Sequence, residues 1–384
     1  MVSGMNNTSD EVDSNPDPKE TDSTESIPHI KQVSRIKHRI LQRYLPAWSR
    51  ILGSANQQLR YYDCYAGQGR FEYRGHHEDG SPLIAVKAAK RFVTEKPNRL
   101  MAVTLVEKDE KQAELLRAHL KSLEPYPSQL EVQVISEDSN NFIQDILTRA
   151  SGIGPSFFMI DPYGHPLSIP LINQILARHR TETLINLMWY QINRDLANPM
   201  MHDHINKLFG DGAWCDQPFM EESGFRREQG FLTFFRSRLN AEYVLPFRIC
   251  FDQKEDKVRG QRTKYYLLHA SNHPKAILLM KDIMWPLGDE DGTFEFSGIT
   301  QGTLISRTPK ESDLREILLN KFAGQKIGFD QLRERTCELP FMEKHYRSVL
   351  QNLRGEGIVK VTPITSKKNG LQRDDLVEFP IRPV

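Results

Sequence analysis

The residues of this 384-residue sequence best suited to chemistry are acids that end apolar runs, together with one glycine pair. Residues 157–164 read Phe-Phe-Met-Ile-Asp-Pro-Tyr-Gly, a wholly apolar run closed by Asp161, Pro162 and Tyr163. An unpaired carboxylate is costly to bury, so Asp161 belongs at an open edge rather than inside the run. A carboxylate and a prolyl carbonyl accept the hydrogens of an exocyclic amine, while a tyrosine ring stacks on a flat base. A strand-ending turn with a cap and a buried tyrosine is the competing account of the same residues. Residues 101–107, Met-Ala-Val-Thr-Leu-Val-Glu, end in Glu107, whose carboxylate suits the two hydroxyls of a ribose. That acid also suits the start of a following helix, with Asp109. Between 59 and 69, Leu-Arg-Tyr-Tyr-Asp-Cys-Tyr-Ala-Gly-Gln-Gly carries an aromatic run into Asp63 and then into Gly67 and Gly69. Glycine is needed where a ligand must approach the backbone closely.

These groups need a scaffold that brings strand ends together. Short apolar runs at 59–63, 101–107, 131–135, 157–160 and 183–188 alternate with helical periodicity, which predicts a doubly wound α/β sheet. Runs at 243–251 and 264–270 predict an antiparallel hairpin closing it, followed by a helix over 273–285. Ile36, Ile40, Leu41, Tyr44, Leu45, Trp48, Ile51 and Leu52 recur at three- and four-residue steps, predicting a helix that covers the first strand. Lys37 and His38 near its start read as a solvated face. Residues 70–80 read as a polar loop, with His76, His77, Glu78 and Asp79 in solvent. Ser81-Pro82 reads as an N-cap followed by a first-turn proline. A helix over 109–122 precedes the third run, after which Glu137-Asp138-Ser139 leads to another helix.

Several of these segments resemble one family. Tyr-Tyr-Asp-Cys-Tyr-Ala-Gly-Gln-Gly at 61–69, Gly-Ser-Pro-Leu-Ile-Ala-Val at 80–86, the Asp161 motif, Leu-Ile-Asn-Leu-Met-Trp at 184–189 and Arg-Ile-Lys-His-Arg-Ile-Leu-Gln-Arg-Tyr-Leu-Pro-Ala-Trp at 35–48 resemble three-Cys-motif partner proteins. That resemblance runs from about residue 35 to the C-terminal end. It implies a class I methyltransferase-like fold, S-adenosylmethionine as cofactor and a companion protein with three cysteines that itself resembles radical-S-adenosylmethionine proteins. By the same resemblance Asp63, Tyr65, Ala66, Gly67 and Gly69 bind the cofactor. Glu107 faces its ribose and Asp138 its adenine amine, although an N-cap role for Asp138 looks identical in sequence. Asp-Pro-Tyr-Gly is also similar to the motif of transfer-RNA guanine-N2 dimethyltransferases. It departs from the Asp-Pro-Pro-Tyr of adenine-N6 enzymes, which counts against adenine more than against amine chemistry. The partner family's own reaction is unassigned by the resemblance, and the Asp161 motif leads to the expectation of methylation of an exocyclic amine on a nucleic-acid base, DNA or RNA. The alternative is a non-catalytic scaffold or binding partner of the three-cysteine companion, in a prokaryotic defence system.

Residues 311–384 read as a separate winged helix: helical patterns around Leu314, Phe329 and Tyr346, then strands at 358–362 and 375–379. Lys344 and Arg347 on its third helix, with Lys367, Lys368 and Arg373 on the wing, suit phosphate contacts. Winged helices also dock proteins, and the sequence leaves both uses open. Residues 1–28 hold seven acids against Lys19, a net of −6 that leaves +7 for the rest, and their polar composition predicts disorder. Residues 29–300 form the expected methyltransferase-like domain. No run is apolar enough to span a bilayer, and Cys64, Cys215, Cys250 and Cys337 are too scattered for a zinc or disulfide framework. All four read as small buried hydrophobes in a reducing cytoplasm.

Overall fold

A computed structural model describes residues 27–149, 154–164, 167–252, 262–288, 295–296, 310–363 and 371–381. The chain opens with α1 (Gln32–Gly53), β1 (Gln58–Asp63), β2 (Arg70–Tyr73), β3 (His76–Asp79), α2 (Ser81–Glu95), β4 (Leu100–Val106), α3 (Glu110–Lys121) and β5 (Leu130–Ile135). It continues through α4 (Ser139–Arg149), β6 (Ser156–Ile160), α5 (Ile169–Leu176), β7 (Thr181–Leu187), α6 (Trp189–Leu196), α7 (His202–Phe209) and α8 (Gly224–Ser237). Then come β8 (Tyr243–Cys250), β9 (Thr263–Ser271), α9 (Pro274–Met284) and β10 (Glu295–Phe296). The C-terminal part holds α10 (Glu311–Lys321), β11 (Lys326–Gly328), α11 (Phe329–Glu334), α12 (Glu343–Gly355), β12 (Lys360–Thr362) and β13 (Leu376–Glu378).

The large sheet has eight strands in the order β10-β8-β9-β7-β6-β1-β4-β5. From β7 to β5 all neighbours are parallel, whereas β9 runs antiparallel between β7 and β8. A parallel sheet whose last hairpin inserts this way has the class I methyltransferase-like arrangement. The chain order reverses beside β1, where β6 lies on one side and β4 on the other, and open α/β sheets bind ligands outside the carboxyl ends at such a switch point.

Strand alternation builds two cores. Tyr61, Phe157, Met159 and Leu184 face the layer of α1, α2 and α9, while Tyr62, Phe158, Ile160 and Ile185 face the layer of α4 to α8. Every residue of β6 and of β7 is buried, as a central parallel strand requires. The winged unit has its own core around Leu314, Phe329, Tyr346 and Val377, and its sheet order is β11-β13-β12. It leans on α9, where buried Lys281 donates to the Leu339 carbonyl at 2.6 Å.

Four local expectations need correction. Residues 70–79 form an antiparallel hairpin, not a loop, because Phe71 lies against the His38 ring and Arg35 pairs with Glu78. Ser81 is the first residue of α2 and Gly80 its cap, which frees the Ser81 hydroxyl to donate to Asp63. Lys37 and His38 do not face solvent: Lys37 reaches Asp161, and His38 is 5% exposed. Cys215 is exposed, while Cys64, Cys250 and Cys337 are buried. The acidic tail through residue 26 and the wing residues Lys367 and Lys368 lie outside the described residues.

Candidate active site

Three strand tips meet at the switch point. Asp63 ends β1, Glu107 follows β4, and Asp161 follows β6. Asp63 is fully buried beneath the glycine turn. It accepts from the Tyr61 hydroxyl at 3.3 Å and the Tyr65 amide at 3.4 Å. Burial is the main force on its carboxyl, the Ser81 hydrogen bond opposes it and the charge of Asp161 adds to it, so the pKa is pushed up to about 7. Asp63 thus ties the end of β1 to the start of α2.

The turn itself is held from outside. Glu107 accepts the Gly67 amide at 2.7 Å and the Asp109 amide at 2.8 Å. Ala66 donates to the Val106 carbonyl at 2.9 Å, and Ser139 donates to the Cys64 carbonyl. Gly67 has φ 58°, and a Cβ there meets only Gln112 Oε1, at 3.7 Å. That leaves a cradle above the turn which a side chain would fill. Gly69 is different: at φ 78° its Cβ would lie 2.6 Å from both Leu83 and Leu116, so it lets the helices close in. Tyr65 is half-buried beside the turn and Ala66 is buried. Asp138 opens α4, accepting the Asn140 amide at 3.0 Å, with Lys108 Nζ at 3.3 Å. Its capping geometry is present, at the carboxyl end of β5.

Asp161 stands apart from these acids. Its side chain is 12% exposed, Lys37 pairs with one oxygen, and Asn186 Nδ2 donates to the other at 2.6 Å. Asn186 lies on β7 and Lys37 on the first turns of α1, so a helix far upstream completes the tip of β6. Buried His38, next in the chain, has no partner for Nδ1. Burial and the Lys37 charge hold its pKa down to about 3 against the pull of Asp161, so it is a neutral ring. Pro162 is buried, and Tyr163 is fully exposed, so the aromatic residue is not the buried tyrosine of a simple turn. Gly164, at φ 108°, turns the chain against Gln191. The structure therefore gathers Asp63, Gly67, Glu107, Asp138 and Asp161 on one edge. Lys37, read as solvated, and Asn186 were not assigned to the site, although both lie in segments, 35–48 and 184–189, that carry the family resemblance.

On the winged unit, Arg347 is spent on Glu343 and on the Leu371 carbonyl, so it fastens the unit internally. Lys344 lies over the Trp285 ring at 5.7 Å, and Arg373 is exposed.

Fold and edge together define a class I methyltransferase-like α/β domain bearing a winged helix. Residues 288–366 match the family model described as a GMT-like wHTH domain, while no curated protein matches the chain. Among solved structures, protein LPL1258 from Legionella pneumophila is 11% identical, with 62% of this chain and 85% of that one aligned at TM-score 0.38. A SAM-dependent methyltransferase from Agrobacterium tumefaciens is 12% identical over 62% of each chain, at TM-score 0.33. MNMC2 from Aquifex aeolicus is 13% identical over 64% of this chain and 63% of that one, at TM-score 0.31. The fold assignment itself rests on strand order and direction.

Proposed function

We propose that the chain is an S-adenosylmethionine-dependent methyltransferase acting on an exocyclic amine of a nucleic-acid base. The observation that carries this reading is Asp161, a nearly enclosed carboxylate fixed by Lys37 and Asn186 two residues before a fully exposed tyrosine. The cofactor, when bound, supplies an electrophilic methyl group. Gly67 leaves room for it, Glu107 offers lone pairs to its ribose, and Asp138 offers them to its adenine amine. Asp161 accepts a hydrogen of the acceptor amine and so turns the nitrogen lone pair toward the methyl, while Tyr163 stacks on the base. Such positioning supplies most of the catalysis in a methyl transfer of this kind. Lys344 and Arg373 give the winged helix basic residues for phosphates, and DNA and RNA fit them equally.

One observation favours a second reading. Both oxygens of Asp161 are already engaged, by Lys37 and Asn186, as suits a scaffold that keeps the fold without turnover. Its partner would then be the three-cysteine companion implied by the sequence resemblance. The deciding experiment incubates the protein with tritiated S-adenosylmethionine and, separately, with DNA and RNA. Label transferred to base amines is expected. Cofactor binding without transfer to either nucleic acid would leave the scaffold.

A further inference from the structure

A second cavity, of about 610 Å³, opens at the other edge of the sheet, among α1, the connection from α5 to β7 and the start of α9. Pockets of this size hold small organic molecules. Glu182, the second residue of β7, lines it, whereas Asn186 beside Asp161 is four residues further along that strand. At roughly 3.3 Å per residue the two sites are about 13 Å apart.

The cavity has a built polar floor. The Glu182 side chain is 9% exposed, and its Oε2 accepts from the Tyr44 hydroxyl and lies 3.0 Å from His269 Nε2. No described residue bonds Oε1, which leaves one acceptor on a nearly buried carboxylate. Trp48 lines the same cavity at 2% exposure with its ring, while its indole N–H is enclosed. A nearly buried polar group left unpaired is costly, so the lone acceptor of Glu182 beside the cavity calls for a ligand that carries a donor.

The walls and rim narrow the class. Leu52, Leu176 and Leu279 give an apolar wall suited to a flat ring. Arg178, Arg180 and Lys275 make the rim basic. Arg178 donates to the Leu147 carbonyl and Lys275 pairs with Glu334, whereas among the described residues the Arg180 guanidinium bonds only the neutral side chain of Asn56, at 2.8 Å. Arg180 also holds φ at 53°, a left-handed conformation that costs a non-glycine residue energy and is concentrated at functional sites.

The geometry points to a second ligand site here for a planar nitrogen heterocycle bearing an anionic group, of which a purine nucleoside monophosphate is the simplest case. Ring N–H groups meet Glu182 Oε1, the ring lies along the apolar wall and Trp48, and the phosphate meets Arg180. This site is independent of the methyl-transfer reading, because it shares no residue with the carboxyl edge.

Guanosine monophosphate titrated into the full-length protein by calorimetry is the test, with unphosphorylated guanosine as the second probe. Sub-millimolar binding of the monophosphate is expected, with guanosine weaker by about tenfold, the order expected for one lost charged contact. Glu182→Gln and Arg180→Gly should each cost a similar factor. Arg180→Gly should also leave the melting temperature unchanged or higher, since glycine accepts φ 53°. Ala55→Trp, at an exposed residue lining the cavity, should abolish binding even if Glu182→Gln fails to fold. Asp161→Asn should leave it intact. No binding by the wild type, binding that survives Ala55→Trp, equal affinity for guanosine, or loss in Asp161→Asn would each overturn the assignment.

Discussion

Asp63 and Asp161 sit at the carboxyl tips of neighbouring parallel strands, yet they have opposite fates. The register pairs Asp63 with Met159, so Asp161 projects two residues further along the same direction. Two residues of extended chain, roughly 6–7 Å, carry an acid from beneath the turn to the mouth of the edge. At the inner position Asp63 meets hydroxyls and a backbone amide, and burial favours its neutral form. At the outer position Asp161 meets an ammonium and an amide nitrogen. The comparison teaches that strand length beyond the last ladder pair sorts such acids. A tip flush with its neighbour holds the turn together, and an overhanging tip is available for chemistry.

The strongest way to break this contrast is Asp161→Asn. The replacement keeps the shape but presents an N–H to the acceptor amine. Methyl transfer should fall at least a hundredfold, about the loss seen when one preorganised polar contact is removed. The variant should still fold, at a cost of about 1–3 kcal/mol because Lys37 loses its charged partner, and cofactor affinity should survive, as measured by melting curves and calorimetry beside the transfer assay. A stable variant with full turnover would make Asp161 as structural as Asp63.

Lys37→Met asks what the ammonium does for the overhanging acid. With both side chains mostly enclosed, loss of one partner should destabilise the fold by about 1–3 kcal/mol, the cost of an unsatisfied polar group. If Lys37 positions Asp161, transfer should drop roughly tenfold, a loss of about 1.4 kcal/mol in transition-state stabilisation. A rise in transfer would mean that Lys37 blocks the acceptor, in line with the scaffold reading.

Glu107→Ala sharpens the inner side of the comparison. Glu107 braces Gly67 and is the ligand proposed for the cofactor ribose. S-adenosylmethionine should bind about 1.5–3 kcal/mol more weakly, the range for hydrogen bonds to a charged group. Unchanged affinity in a folded variant would reduce Glu107 to a brace.

The strands were legible because period and composition reveal them. The runs ending at Asp63, Glu107 and Asp161 each appear as strands closing at or one residue before the acid. The winged helix was legible for the same reason, through the spacing around Leu314, Phe329 and Tyr346. What sequence could not reveal is contact across long separations. Lys37 and Asp161 are 124 residues apart, and nothing local distinguishes a lysine paired with a distant acid from one in water. The hairpin at 70–79 was hidden because His76, His77, Glu78 and Asp79 lack an alternating apolar face, and its stability comes instead from Arg35 and His38 on α1. The tightness required at Gly69 depends on Leu83 and Leu116 from two different helices, which no spacing rule places together.

The smallest expected effect on methyl transfer lies with Asp63, whose own effect is on stability and is read through pH. Folding raises its carboxyl from 3.8 to about 7, so between those values the folded chain holds a proton that the unfolded chain has lost. Stability from this group is therefore complete below about pH 4 and is lost progressively as pH rises toward 7, with no further change above. Asp63→Asn keeps a neutral amide in place of the neutral acid and removes that slope. The amide oxygen still accepts from Tyr65, and the hydroxyls of Tyr61 and Ser81 can turn to accept its N–H groups. Near pH 4 the two proteins should melt together. By pH 8 the variant should melt clearly higher, since a rise from 3.8 to about 7 is worth on the order of 4 kcal/mol. Asp161→Asn has no reason to flatten the same window to that degree, because Asp161 is only a secondary contributor to the Asp63 shift, behind burial. Melting curves of wild type and both variants at half-unit pH steps check this. Parallel curves for wild type and Asp63→Asn would mean that Asp63 titrates as an ordinary carboxylate, and the distinction between inner and outer tips would fail.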